Sequence, residues 1–203
     1  MVSMAMTIAT AAFAEPPWNA PLDAKHVIAA IPPGATLAGM FFSAVLDAAK
    51  NRPLKLSQAP RERYLQFGFY PIAEFAPLLV AAAEQLHPDR SLREALRKLG
   101  RGAPAALCAS TLGKVTLGSA EGVHAIVTAM VNTYSINLRP CRCAVVSSKA
   151  TSMVISLDDI PYFLDSHHVG VFEGTLKHAG VKGRVRIATR GYASADLLLE
   201  WTA

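Results

Sequence analysis

The sequence has few cysteines, few charged side chains and no long apolar run, and each scarcity excludes a class of protein. There are three cysteines, an odd number, and Cys141 and Cys143 lie too close together on one predicted strand for ordinary disulfide geometry. Reduced thiols in the cytoplasm are the simpler interpretation. Charged residues make up only 17% of the chain, which argues against long disordered tails. No run reaches the roughly 18 to 20 uncharged apolar residues of a membrane span, so we expect a soluble protein.

Signatures of the common enzyme classes are also missing. Neither a GxGxxG nor a GxxxxGKS phosphate-binding loop occurs, and Ser110 and Ser119 lack the context of a nucleophile elbow. Asp158 and Asp159 are adjacent and suit a helix cap, so they do not form a facing catalytic pair. Cys141, Cys143 and a histidine could supply three zinc ligands, but the sequence has no CxxC or HxxxH pair to complete a tetrahedral site. An enzyme is therefore the least supported class, and we assign no catalytic or metal-binding residue.

What the chain does contain is enough apolar material for one core. Its 203 residues are 52% hydrophobic, which predicts a single α+β domain over residues 22–203. Residues 1–21 are predicted to be a flexible N-terminal extension. The segment Ala12-Phe13-Ala14 resembles a signal-peptidase site, but no Lys or Arg precedes it, so we expect a cytoplasmic protein.

Proline-rich turns divide residues 22–136 into helical pieces, whereas residues 137–203 predict a small antiparallel sheet that carries one long helix. Thr36, Pro71 and Ser91 suit helix starts, and Ser119 is predicted to open the last helix of this part. The predicted strands are Cys141–Ser147, Thr151–Leu157, Gly183–Arg190 and Ala193–Trp201. The long helix is predicted to begin at Asp158 or Asp159 and to end before Gly180.

Four phrases of the sequence resemble a paralogous family of myxobacterial proteins that carries a domain of unknown function. They are IPPGATLAGMFF (31–42), RYLQFGFYPIAEFAPLLVAAA (63–83), SLREALRKLGR (91–101) and DIPYFLDSHHVGVFEGTLKHAG (159–180). The resemblance spans nearly everything after the first twenty residues or so. It implies a fold and no particular activity.

The order of helical half, strand pair, GxxxG-containing helix and final strand pair is also similar to the haem-nitric-oxide-binding and 4-vinyl-reductase-type domains. Those domains bind small molecules, and the first kind holds haem through a histidine on the helix ahead of the sheet. His124 stands in the comparable place. The Tyr-x-Ser-x-Arg motif that holds the haem propionates has no counterpart, because the corresponding strand reads SSKAT (147–151). The resemblance therefore implies ligand sensing, argues against haem and leaves the cofactor unknown.

His168 falls near the middle of a predicted apolar helix stripe, whereas His167 is predicted to lie at its solvated edge. A buried imidazole is either a polar group in a ligand pocket or a core histidine paired with a backbone carbonyl, and both alternatives stay open. Gly170 and Gly174 allow close approach of another backbone, for which helix-on-sheet packing is the simpler explanation, or of a flat ligand.

The leading hypothesis is a non-enzymatic sensory or adaptor domain that binds a small apolar or amphipathic ligand between the helical half and the sheet. The predicted site residues are Phe41, Phe67, His124, Tyr134, His168 and Phe172.

Three arginines alternate with apolar residues along one predicted strand and give it a cationic face. They are Arg184, Arg186 and Arg190. Like charges in a row require an anion or acidic neighbours, so the alternative function is a protein-interaction module, as a monomer or a homodimer, that binds an acidic partner. A nucleotide would suit the same face. Nucleic acid is less well supported, because no aromatic residues interleave with these arginines.

Overall fold

The computed structural model of the chain describes residues 12–50, 54, 56, 61–109, 113–114 and 120–202. A helical part comes first and a four-stranded sheet follows, so the predicted α+β class is confirmed. Ser119, the predicted start of a helix, lies outside the described residues.

The helical part contains five described helices, which are α1 (Ala24–Ala29), α2 (Gly39–Ala49), α3 (Ile72–Leu86), α4 (Leu92–Ala109) and α5 (Val123–Asn137). Pro71 occupies the N-cap of α3, and the backbone N–H of Glu94 donates to the Ser91 hydroxyl at 3.2 Å, as the capping pattern predicts. Among the helices in the described ranges, none is both long enough and apolar enough to cross a membrane.

Three short strands that the sequence did not predict tie the helical part together. They are β1 (Thr36–Ala38), β2 (Phe69–Pro71) and β3 (Leu138–Arg139), paired antiparallel in the order β2-β1-β3. Thr36 therefore lies in a strand, and α2 begins three residues later than its predicted cap. Strands this short carry no alternation that a sequence pattern can reveal, and their long-range pairing defines them.

The main sheet has four antiparallel strands in the order β4-β5-β7-β6. They are β4 (Arg142–Lys149), β5 (Ser152–Asp158), β6 (Gly183–Gly191) and β7 (Ser194–Trp201), close to the predicted bounds. Alternate residues are buried on one face, against which α5 and the last helix pack. The buried residues of β5, β6 and β7 include Met153, Ile155, Leu157, Val185, Ile187, Ala195, Leu197, Leu199 and Trp201.

The predicted long helix after β5 begins later than expected and starts with a π-helix. A loop follows β5, in which Asp159 (φ 60°) and Phe163 (φ 41°) have left-handed backbone conformations that are uncommon for residues other than glycine. The π-helix Leu164–His168 comes next and continues into α6 (Val169–His178). Both π-helices and left-handed residues other than glycine concentrate at functional sites.

The N-terminal segment packs on the body from residue 14 onward, which differs from the predicted flexible extension over residues 1–21. Ala14 and Ile187 exchange two backbone hydrogen bonds of 2.9 Å at the edge of β6. The Arg97 guanidinium lies 3.7 Å from the ring centroid of Trp18, and the Ser91 hydroxyl donates to the Trp18 carbonyl. The described part of this segment therefore belongs to the folded domain.

We expect Trp18→Ala to lower the free energy of unfolding by about 2 kcal/mol, because it removes partly buried aromatic surface and a cation–π contact. Urea denaturation followed by circular dichroism measures this change. Phe67→Ala is the matched control, since Phe67 is 63% exposed and its loss should change stability by less than about 0.5 kcal/mol. Equal effects of the two substitutions would show that the segment does not pack on the body.

Candidate functional site

A mainly apolar cavity lies between the helical part and the sheet part, where α2, α3, α4 and α5 meet the π-helix. Its volume is about 50 Å³. A larger cleft of about 200 Å³ between α2 and α4 adjoins it. The two spaces lie next to each other and share the walls Phe41, Phe75, Ala103, Leu107 and His167.

His168 is the polar centre of the cavity wall. Its side chain is 2% exposed, and Nδ1 lies 3.0 Å from the Tyr134 hydroxyl. Nε2 is buried and has no hydrogen-bond partner among the described residues. If the Tyr134 hydroxyl donates to Nδ1, the neutral ring must carry its proton on Nε2. The ring then has a buried N–H with no acceptor in full hydrogen-bond geometry, although the backbone of Tyr162 lies close enough to favour its protonated form. This arrangement is costly unless a ligand or water supplies an acceptor.

His167 adds a second imidazole to the same wall. It is 7% exposed, and its buried Nδ1 also has no partner within the described part of the chain. Burial lowers the pKa of His167 to about 4, although a hydrogen bond with the backbone of Leu96 opposes part of this change. Burial and the neighbouring His167 lower the pKa of His168 well below its ordinary value, although the nearby backbone of Tyr162 opposes part of this change. Both rings are therefore neutral at pH 7.

Aromatic rings fix the position of these imidazoles. The Tyr134 ring stacks on Phe172 with centroids 5.6 Å apart, and the Tyr162 ring meets His168 edge-on at 4.7 Å. Burial raises the pKa of both tyrosines, so their hydroxyls remain protonated. The histidine pair is held by packing on α5, α6 and the loop before the π-helix, and a rigid setting of this kind suits a binding site.

Four of the six predicted site residues come together here. Phe41, Tyr134 and His168 line the cavity, and Phe172 lies behind the Tyr134 ring. The other two lie elsewhere. His124 Nε2 is 2.8 Å from the Lys149 carbonyl oxygen, and its ring packs against Trp201, whereas Phe67 is on the surface.

The sequence analysis missed His167, because the prediction of its solvated position assumed an α-helix and was wrong. A π-helix closes its hydrogen bonds between residues five apart, as between the Phe163 carbonyl and the His168 N–H at 3.4 Å. The chain therefore turns less per residue, and two consecutive histidines can face the same side. A pair of polar residues within an apolar helical stripe is the signal that could have suggested this.

Close packing between α4 and α6 explains the glycines of α6. A Cβ atom on Gly170 would lie 2.1 Å from the Arg97 carbonyl oxygen, and one on Gly174 would lie 2.4 Å from that of Arg101. The contact is helix on helix and not helix on sheet as predicted, and it leaves no room there for a flat ligand. From the other side, a Cβ on Gly100 would lie 2.1 Å from the His167 carbonyl oxygen.

The predicted cationic face exists on the outer side of the main sheet, but acidic side chains of the same chain balance its charge. The carboxylate of Glu200 lies opposite Arg184 across the strand pair, and Arg190 reaches carboxylates on β5 and β7. The ion pairs, with N–O distances of 2.9 to 3.1 Å, are Arg184–Glu200, Arg186–Glu200, Arg190–Asp158 and Arg190–Asp196. The sequence predicted that this face needs either a bound anion or acidic neighbours, and the structure supplies the acidic neighbours.

Solved structures with the same fold are haem-nitric-oxide-binding (H-NOX) proteins. An Fe(II) unliganded H-NOX protein from K. algicida is 15% identical, with a TM-score of 0.60 over 82% of this chain and 97% of that one. An H-NOX protein from S. oneidensis in the Fe(II)NO state is 11% identical, with a TM-score of 0.58 over 82% of this chain and 100% of that one. An oxygen-binding H-NOX domain related to soluble guanylate cyclases is 11% identical, with a TM-score of 0.60 over 81% and 93%. At these identities the likeness establishes the fold.

The residues around the cavity do not fit a haem. Pockets for drug-sized ligands are about 300–1,000 Å³, whereas this cavity is about 50 Å³. No Arg or Lys is among the described residues that line it, so haem propionates would lack a cationic partner. His124, in the comparable place to an axial ligand, points to the β4–β5 turn. Nor do the described side chains include a group of three or more His, Cys, Asp or Glu arranged to hold a metal ion.

Curated proteins give no match to this chain. A family model does: it covers residues 30–202, which is most of the sequence and includes every residue of the cavity wall. The chain therefore belongs to the family of proteins of unknown function DUF2378.

Proposed function

We propose that this protein is a non-enzymatic, cytoplasmic sensory or adaptor domain that binds a small, uncharged or amphipathic organic molecule in the cavity beside His168. The observation that carries the proposal is the buried Nε2 of His168, which has no partner among the described residues and lies in the wall of a mainly apolar hollow. When the Tyr134 hydroxyl donates to Nδ1, the proton on Nε2 is a buried N–H without an acceptor, which costs about 1–3 kcal/mol and which a ligand oxygen would relieve.

The chemistry of the wall indicates the kind of ligand. Apolar and aromatic side chains form most of the surface, and they favour a hydrocarbon body. The Nε2–H of His168 requires a hydrogen-bond acceptor, such as a ketone or ether oxygen. Because His167 and His168 are both neutral at pH 7, the inner end of the cavity favours an uncharged acceptor over a carboxylate.

The fold relatives support the class of function and not its cofactor. One of their structures is in an Fe(II) unliganded state, one is in an Fe(II)NO state and one is an oxygen complex, all in a fold that this chain shares. In this chain we propose that the ligand contacts the protein side chains directly, since the cavity wall does not suit a haem. The same position between the two parts of the fold would let a ligand change how the helical part sits on the sheet.

We expect methyl hexyl ketone to bind in this cavity, with its oxygen on His168 Nε2. Methionine methyl NMR locates the ligand, because Met130 lines the cavity and Met40 lines the cleft, whereas Met153 is buried in the sheet and lines neither space. The signals of Met130 and Met40 should shift and that of Met153 should stay. His168→Leu should weaken binding by about tenfold, the value of one buried hydrogen bond.

Phe67→Ala is the control for that experiment, because Phe67 was a predicted site residue and lies on the surface. It should leave the affinity unchanged. A native mass equal to the denatured mass after purification, together with no shift of Met130 at saturating ketone, would contradict the proposal. A visible absorbance band in the purified protein would contradict the argument against haem.

The arginine face gives less support to an interaction module. Its cations already pair with Glu200, Asp158 and Asp196, so an acidic partner would have to displace these carboxylates.

A further inference from the structure

The cleft that adjoins the cavity has walls of small and apolar side chains. From α2 it receives Ala44, Val45 and Ala48, and from α4 it receives Gly102, Ala103 and Ala106. Because these side chains are small, they leave a slot between α2 and α4, and the inner end of the slot shares His167 and other wall residues with the cavity. A slot of this shape suits an unbranched hydrocarbon chain better than a compact ring.

One charged side chain, Lys98, lines the cleft among the described residues, and it is partly exposed. Glu94, one helical turn before it, pairs with Arg90 instead at 3.2 Å. Glu173, on α6, is already bound by Arg97 and Arg101.

Lys98 differs in this respect from the arginines around it on α4. Arg93 pairs with Asp165, and Arg97 and Arg101 pair with Glu173, so each of these cations has a carboxylate. Lys98 forms no ion pair with any described residue. An ammonium group without a counter-ion at the edge of an apolar slot is the arrangement that attracts an organic anion.

We infer that the ligand is a linear keto acid, with its carboxylate on Lys98, its hydrocarbon chain in the cleft and its ketone oxygen on His168. The inference rests on the proposed function, because it uses the same cavity and the same hydrogen bond. It adds the second polar end and the order of the three parts. The carboxylate stays at the partly exposed edge, where water and the ammonium group solvate it, and the neutral oxygen takes the buried position.

Matched ligands test this assignment by isothermal titration calorimetry. The keto acid is octanoate with a ketone at the carbon next to its terminal methyl group. It differs from methyl hexyl ketone at one end, where a carboxylate replaces the methyl group that is far from the ketone. We expect the keto acid to bind about fivefold more tightly than the ketone, as for a partly exposed ion pair. It should bind about tenfold more tightly than octanoate, which lacks the inner oxygen.

Lys98→Met should remove the advantage of the keto acid over the ketone, so that the variant binds the two compounds with similar affinity. Lys177→Met is the matched control, because Lys177 is an exposed lysine on α6 that does not line the cleft. It should preserve the fivefold difference. Across keto acids of increasing length, the affinity should rise about fourfold for each added methylene until the slot is full.

The outcomes separate this inference from the function on which it rests. If the ketone binds wild-type protein and shifts the Met130 signal but the keto acid gains nothing, the role of Lys98 is wrong and the ligand site stands. If the advantage of the keto acid survives Lys98→Met, another cation holds the carboxylate and the assignment is again wrong. If neither compound shifts Met130, the proposed function fails as well.

Discussion

Replacing Gly100 with alanine is expected to lower the free energy of unfolding by about 3 kcal/mol. A Cβ atom at this position would lie 2.1 Å from the His167 carbonyl oxygen and 3.0 Å from the Val171 backbone nitrogen. Both are backbone atoms of the π-helix and α6, which cannot move aside as the end of a flexible side chain can. The two helices would have to separate along their whole contact.

The matched control is Gly102→Ala, the same substitution two residues further along α4. A Cβ at Gly102 would meet nothing within 4 Å, so the only expected effect is the gain in helix propensity, up to about 1 kcal/mol of added stability. Urea denaturation of the two variants should therefore give changes of opposite sign. If both variants are destabilised alike, the close crossing of α4 and α6 is wrong.

Gly100→Ala is expected to affect the candidate site as well as stability. The carbonyl that approaches Gly100 belongs to His167, and the next residue is His168. Since α4 also supplies Ala103 and Leu107 to the cavity wall, the crossing sets the distance between the histidines and that wall. Gly100→Ala is thus expected to weaken ligand binding together with folding, whereas Gly102→Ala affects only the outer cleft.

The C-terminal half of the fold could be predicted because its signals are local. Alternation over seven to nine residues defined β5, β6 and β7, and Gly180, with φ 78°, ended α6 where a left-handed residue was expected. The strands β1, β2 and β3 could not be predicted, since two or three residues carry no period and only their pairing partners define them.

The candidate site was partly predictable for a similar reason. An apolar helical stripe placed Tyr134, His168 and Phe172 inside, and these three residues are in contact. The π-helix could not be read from the sequence, so His167 was assigned to the wrong side. The charge balance of Arg184 and Arg186 depends on Glu200, which is more than ten residues away along the chain and comes opposite them only through the register of β6 and β7.

Stability should fall steeply as the pH is lowered from 6.5 to 4, because two histidines are buried in neutral form. Burial lowers the pKa of His167 from 6.5 to about 4, and burial with the neighbouring His167 lowers that of His168 well below its ordinary value. In this window the unfolded chain binds protons that the folded chain does not, so acid favours unfolding. Each pH unit between the folded and unfolded pKa values is worth about 1.4 kcal/mol, so His167 alone contributes about 3 kcal/mol of lost stability.

The carboxylates titrate at lower pH than the interval assigned to the buried histidines, so the two effects on stability can be separated by pH. The pKa of Glu74 is lowered by its hydrogen bond with Arg61, and that of Asp158 is lowered by hydrogen bonds with Ser194 and Arg190 that outweigh the opposing effect of burial. The stability that these groups supply is present above their ordinary values of 4.5 and 3.8 and is lost only below them. Between pH 6.5 and about 4.5 the loss of stability therefore belongs to the buried histidines.

The double variant His167→Phe with His168→Phe tests this assignment by urea denaturation at a series of pH values. Its stability at pH 7 can shift either way, since the Tyr134 hydroxyl loses its partner while the rings keep their apolar contacts. The slope is the informative quantity: it should flatten above pH 4.5, because phenylalanine binds no proton in either state. Glu74→Gln should keep the wild-type slope above pH 4.5 and change it only below. A double variant that retains the wild-type slope would show that other groups titrate there, and that the two imidazoles bind protons as readily in the folded chain as in the unfolded one. In that case burial would not hold the imidazoles neutral, and the preference of the inner end of the cavity for an uncharged acceptor would lose its basis.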